Sequence, residues 1–294
     1  MITKPMSSEK DLTGSQSVDR ALKLLSLVGR DVGQGMALND VVEQSGFNKP
    51  TTRRLLLALI RAGFIEQNAA DRRYFIGEGA YVLGSLASRR FGLLQLSMES
   101  LIRISRKTED ASFLSIRRDT HSICLHREEG TYPIRSHALQ AGAEHPLGVG
   151  AGSLAMLAAL PDDEIKAIVQ RNSPTLKGQF PRLSPEQLKL YVAATRSRCY
   201  AVNPGLIYPN SWGIGIAVKY PDGGLAGALS IAAIDSRMHE QRQSELAAIL
   251  REEARRIEAR LADMFTRTGT GQSKGKGQPR EDAPLRQNNG RNRP

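Results

Sequence analysis

Between Ala37 and Gly77 the chain reads ALNDVVEQSGFNKPTTRRLLLALIRAGFIEQNAADRRYFIG, and few folds accommodate that order of signals. Two short helical stretches flank Gly46, a residue suited to a left-handed turn. The second stretch opens polar and basic at Asn48, Lys49, Thr51, Thr52, Arg53 and Arg54. Pro50 suits its first turn, where a missing N–H costs nothing. Gly63 ends it, Phe64-Ile65 starts an apolar strand, Asn68 to Arg73 gives a polar turn, and Tyr74-Phe75-Ile76 returns. This is the layout of a winged helix-turn-helix. In that motif one helix enters the DNA major groove and the hairpin tip touches the backbone beside it.

At about 100° per residue, Thr52, Leu55, Leu56, Leu59, Ile60 and Gly63 gather on a core-facing stripe of the second helix. Pro50, Thr51, Arg54, Ala58 and Arg61 lie roughly opposite, with Arg53 on the flank. Leu57 also points outward, where a thymine methyl or a linker contact would have to account for it. The residues expected at DNA are Asn48, Lys49, Pro50, Thr51, Thr52, Arg53 and Arg54, with Arg72 and Arg73 on the wing. Thr51 and Arg54, one turn apart, lead this set. A surface helix with merely solvated arginines is the competing reading for the helix alone. The basic-tipped hairpin that follows directly favours DNA.

The net charge of +11 over 294 residues is weaker support than it looks. Through Glu78, eleven Lys/Arg face nine Asp/Glu, whereas the tail from Phe265 carries seven against two. The local pattern, not global basicity, must carry the DNA reading. Cys124 and Cys199 are the only cysteines; without paired spacing they frame neither a disulfide scaffold nor a zinc motif. No stretch approaches the ~20 apolar residues of a membrane span, and MITKPMSSEKD lacks an apolar signal core. A soluble protein of the cytoplasm, with no membrane partner, is expected.

Such a length suggests two domains. Residues 15–77 are expected to form the DNA-binding domain, its first helix opened by Ser17 as N-cap. A helical linker and dimerising segment should span 78–101, and an effector-binding and oligomerisation domain 102–264. A disordered basic tail is expected over 265–294. In the second domain Ala111–Arg118, His121–His126, Ile134–Leu139, Tyr200–Val202, Gly213–Tyr220 and Leu225–Ile234 have strand character. Helices are expected at Ala151–Leu160, after Pro161, after Ser184-Pro185 and over His239–Met264. The class is α+β, a sandwich around an antiparallel sheet.

Four stretches in this order resemble the IclR family of bacterial transcriptional regulators, from about Ser17 to Met264. They are SVDRALKLL; LNDVVEQSGFNKPTTRRLLLALIRAGFIE with the RRYFIG wing; HPLGVGAGSLAMLAALPDDE; and CYAVNPG with PDGGLAGALSI. The resemblance implies a winged helix-turn-helix, a helical linker and a C-terminal ligand-binding domain of GAF-like fold. It further implies homodimers or homotetramers that control catabolic operons in response to small organic or aromatic acids. Thr51, Arg54 and Leu55 match the family's recognition helix, and Val42 stands where Ala is usual. Ser153-Leu154 replaces a Gly-Lys, Trp212-Gly213 replaces an Arg-Cys, and a closing Ser-x-Ser is reduced to Ser230 and Ala232.

The GVGAGS run, Gly148, Val149, Gly150, Ala151, Gly152 and Ser153, opens onto a helix whose free N–H groups suit a carboxylate. It fails as a dinucleotide fingerprint, since Ser153 stands where a third glycine is needed. A glycine-eased turn against the sheet is the plain alternative. Trp212 is the only tryptophan: a core residue, or a flat wall for an aromatic acid. Together with Gly213, Ser230 and Ala232, these residues form the expected effector site. His121, His126, His137 and His145 lack metal-ligand spacing; no metal or cofactor is expected.

The sequence therefore predicts a ligand-responsive regulator, not an enzyme, that binds a double-stranded DNA operator and a small carboxylate effector. An enzyme of GAF-like fold with a DNA-binding appendage is the alternative, although no GxSxG elbow, metal set or Cys/His pair supports it. A constitutive DNA binder acting through its basic tail is a third.

Overall fold

The computed structural model describes residues 15–30, 33–88, 92–134 and 139–270. Helix α1 (Gln16–Val28) packs on α2 (Leu38–Ser45) and α3 (Lys49–Arg61). A two-stranded antiparallel wing follows, β1 (Ile65–Gln67) and β2 (Tyr74–Ile76). Leu24, Val28, Val41, Leu55, Leu56, Leu59, Ile65 and Tyr74 form its core. Gly46, at φ 72°, ends α2 and makes the turn. The Asn48 side chain then caps α3 by accepting from the Thr51 N–H at 2.9 Å. Ser15 rather than Ser17 flanks the start of α1, and its hydroxyl turns to the Asp19 carboxylate instead of a backbone amide.

Helix α4 (Glu78–Ser88) leads to α5 (Leu93–Thr108). Helix α5 runs past residue 101 because Leu101 and Ile104 are fully buried in the second core. That core surrounds β3 (Ala111–Arg118), β4 (His121–Glu128), β5 (Glu144–Pro146), β6 (Ala201–Pro204), β7 (Ser211–Lys219) and β8 (Leu225–Ile234). These make one antiparallel sheet in the order β5-β4-β3-β8-β7-β6. Helix α6 (Ala151–Ala158) lies on one face, covered by α7 (Asp162–Gln179) and α8 (Pro185–Arg198). Helix α9 (Glu240–Thr270) joins α5 on the other. The strand expected over Ile134–Leu139 falls mainly on 135–138, outside the described residues; Ile134 and Leu139 themselves are not in a strand. Helix α9 continues to Thr270, with Phe265 edge-on to Tyr220, so the start of the expected tail is helical.

The two-residue period of the strands sorts side chains between the faces. Leu114, Ile214, Val218, Leu229 and Ile231 join the α5/α9 core. Phe113, Ser115, Gly213, Ser230 and Ala232 line a cavity on the α6 side. Both faces being covered explains why β8, LAGALSIAAI, reads as a nearly continuous apolar run.

Arg103 of α5 clamps α9 by donating from Nε and Nη2 to the Glu253 carboxylate, at 3.0 and 2.7 Å. Burial pushes the Glu253 pKa up, but hydrogen bonds from Arg103 and Ser100 and the charges of Arg103 and Arg256 bring it below the ordinary 4.5. A carboxyl depressed on folding contributes stability above its unfolded pKa and loses it as pH falls through its folded pKa. Glu253→Gln should therefore lower stability by about 1 kcal/mol near neutral pH, modest because Arg103 is partly exposed. Urea unfolding of both proteins should converge as the pH drops below the usual carboxylate range.

Candidate DNA-reading face and effector cavity

On the outer side of α3, Lys49, Pro50, Arg53, Arg54, Leu57 and Arg61 line one shallow concave surface. Among the described residues no carboxylate pairs with these four cations. Thr51 is half-buried beside them. Thr52 is fully buried and its hydroxyl returns to the Asn48 carbonyl; its side chain belongs to the core and does not reach DNA. Asn48 is exposed, but its side-chain oxygen is engaged as the cap.

The wing tip separates its two arginines. Arg72, at φ 61°, is exposed. Arg73 turns back, and its guanidinium donates to the Gly35 carbonyl at 2.7 Å, tying the wing to the segment before α2. Arg73 is thus a structural strut rather than a free phosphate ligand.

The second site is a cavity of about 60 Å³ between the sheet and the N-terminal end of α6, room for about two waters. Val149 to Ser153, Trp212, Gly213, Ser230 and Ala232 all line it; Gly148 lies just behind, between Leu157 and Leu188. Gly150 opens α6 at φ 88°, ψ 157°, a conformation reserved for glycine. Gly215 lets the helix settle on β7, since a Cβ there would stand 2.4 Å from the Ala151 carbonyl oxygen. Ser153 stabilises the entry by accepting from the Gly148 N–H at 2.9 Å.

The remaining walls carry little sequence signal. Phe113, Ser115, Ser122, His145, Asn203 and Ile207 also line the cavity. Ser115, Ser122 and Ser230 are only 3, 6 and 7% exposed, yet among the described residues their hydroxyls have no hydrogen-bond partner. Ser112, one face away, shows the contrast: its hydroxyl is bonded to Ser105 and the Leu101 carbonyl. Alternation in β3 could have flagged Ser115, but not which serine faces the cavity. Among the described residues no Asp, Glu, Lys or Arg lines the cavity. His145 stacks edge-on to Phe180, and burial holds its pKa below the ordinary imidazole value against the opposing charge of Glu144.

Among the described residues no His, Cys, Asp and Glu side chains cluster as a metal site, and no helix is long and apolar enough to cross a membrane. His137 lies outside the described residues. Cys124 is buried, its thiol pushed up to about 12 by desolvation, which makes it a poor nucleophile.

A winged helix with a basic reading face free of carboxylate partners among the described residues, joined to a sheet domain with a cavity beneath α6, defines a DNA-binding protein with a built-in chamber. Residues 17–69 match the IclR helix-turn-helix domain, and residues 86–259 match the C-terminal domain of bacterial IclR transcriptional regulators. The chain belongs to the IclR family and is a DNA-binding transcriptional regulator. It is 26% identical over 258 residues to the acetate operon repressor of Salmonella typhimurium, covering 86% of this chain and 93% of the relative. Against the transcriptional repressor IclR of Escherichia coli it is 28% identical over 202 residues, covering 67 and 73%. The fold is shared with an IclR homolog from Microbacterium hydrocarbonoxydans solved with 4-hydroxybenzoate, at TM-score 0.67 and 19% identity, covering 84 and 99%.

Proposed function

We propose that this regulator responds to a small organic acid, best fitted by one with a single ring, bound beneath α6 in a cavity that widens from about 60 Å³ to admit it. The observation that carries this reading is the set of hydroxyls of Ser115, Ser122 and Ser230, on buried residues, that bond to no protein group among the described residues and line a chamber where no described residue is charged. Hydroxyls that bond to no protein group and face a cavity are free to pair with the polar groups of a ligand. The N-terminal turn of α6 supplies amide donors and the positive end of a helix dipole for a carboxylate. Phe113 supplies a flat apolar wall, and Trp212 borders the cavity while its side chain packs against the α5/α9 core. The 4-hydroxybenzoate held by the Microbacterium homolog supports the same class.

In this mechanism, ligand binding shifts α6 against the sheet, and α5 and α4 carry the change to the DNA-binding unit. Operator affinity then follows the relative placement of two such units in a homodimer or homotetramer. Exposed Tyr81, Val82, Leu83 and Leu86 on α4 support association between copies. The setting would be the cytoplasm, next to a catabolic operon.

Trp212 is the only tryptophan and borders the chamber, so its fluorescence is a probe of changes at that edge of the sheet. Titration with benzoate should quench it and change affinity for an operator fragment in the same concentration range. A response confined to short aliphatic acids, with no effect of any aromatic acid, would overturn the ring-acid reading.

A further inference from the structure

We infer that Leu57 is a base-reading residue, whose side chain meets the methyl group of a thymine in the major groove. Helix α3 buries Leu55, Leu56 and Leu59 at 8% exposure or less, whereas Leu57 stands 46% exposed. Pro50, Arg53, Arg54, Leu57 and Arg61 follow one another at helical spacing, so they share one stripe. The stripe is the concave surface that Lys49 completes.

The surroundings decide what this leucine meets. Four cations without carboxylate partners frame it, so the facing partner is a polyanion and not an apolar protein surface. Phosphates are served by the cations; an aliphatic side chain at their centre has nothing to offer a phosphate or a sugar. On the floor of the major groove the apolar feature is the C5 methyl of thymine, which distinguishes T·A from every other pair. Leu57 therefore adds sequence preference to a surface whose other members mainly supply charge and hydrogen bonds.

The test removes that methyl alone. The full-length protein is used to select duplexes from a random-sequence library, and the chosen duplex is resynthesised with deoxyuridine replacing each thymidine in turn. The wild type should lose about fourfold in affinity at the thymine Leu57 meets, the worth of one buried methyl group. Leu57→Ala should bind the thymidine and deoxyuridine duplexes equally at that position, while Leu57→Met keeps the difference. The proposal is overturned if no single replacement weakens wild-type binding, or if Leu57→Ala retains the same uracil penalty. A change of oligomeric state in Leu57→Ala with that penalty intact would place the leucine at a protein contact, and equally overturns it.

Discussion

Gly215→Val should unfold the second domain at markedly lower temperature or denaturant, by about 3 kcal/mol or more. The reason is backbone against backbone. A Cβ at 215 would stand 2.4 Å from the Ala151 carbonyl oxygen, 2.5 Å from its carbon and 2.7 Å from the Gly152 nitrogen. No rotamer relieves that, so α6 must lift from β7, and every residue of α6 is buried. Gly178 in α7 is the control, because a Cβ there meets nothing within 4 Å. Gly178→Ala should be neutral or slightly stabilising, since alanine is the better helix former. Calorimetric melting of the two variants separates a steric requirement for glycine from a general intolerance of substitution. Equal, small effects of both would mean that the contact between α6 and β7 does not require glycine at 215.

Replacing Arg53 and Arg54 together with alanine should cut operator affinity at least about a hundredfold while leaving the melting temperature nearly unchanged. Both are exposed, neither pairs with a carboxylate among the described residues, and both lie on the concave face of α3. Arg72→Ala should weaken binding more uniformly across sequences and reduce the salt slope by about one per bound unit, as loss of a phosphate contact does. Arg73→Ala should act differently, lowering stability through the lost bond to the Gly35 carbonyl. Fluorescence anisotropy across a salt series, beside thermal melts, distinguishes the three. An unchanged affinity in the double variant, with binding abolished on deleting residues 266–294, would instead locate binding in the tail.

The DNA-binding unit was legible because its signals are local. Gly46, Asn48-x-Pro50 and Gly63 punctuate the chain at the positions where backbone conformation demands them. The errors there came from groups whose role depends on a distant partner. Thr52 is polar yet lies under the helix, and Arg73 reaches back to a carbonyl 38 residues earlier. The cavity was half legible. Glycines at 148, 150, 152 and 213 marked a close approach of helix to sheet, and Trp212 drew attention as a singular residue. Phe113, Ser115, Ser122 and His145 are contributed by neighbouring strands through sheet pairing, which no local pattern encodes. Helix α5 was cut short at the linker for the same reason: its second half is specified by α9, some 150 residues on.

The packing of α6 has a bearing on how a protein like this changes its chemical taste. One side of the chamber is made of main chain and the smallest side chains, held there by Gly213 and Gly215, and any enlargement dislodges the helix. The opposite side offers Ser115 and Ser122, strand residues whose hydroxyls make no hydrogen bond to the protein among the described residues. Drift toward a new inducer is thus channelled through the strands, while the helix end stays as an inherited fixture.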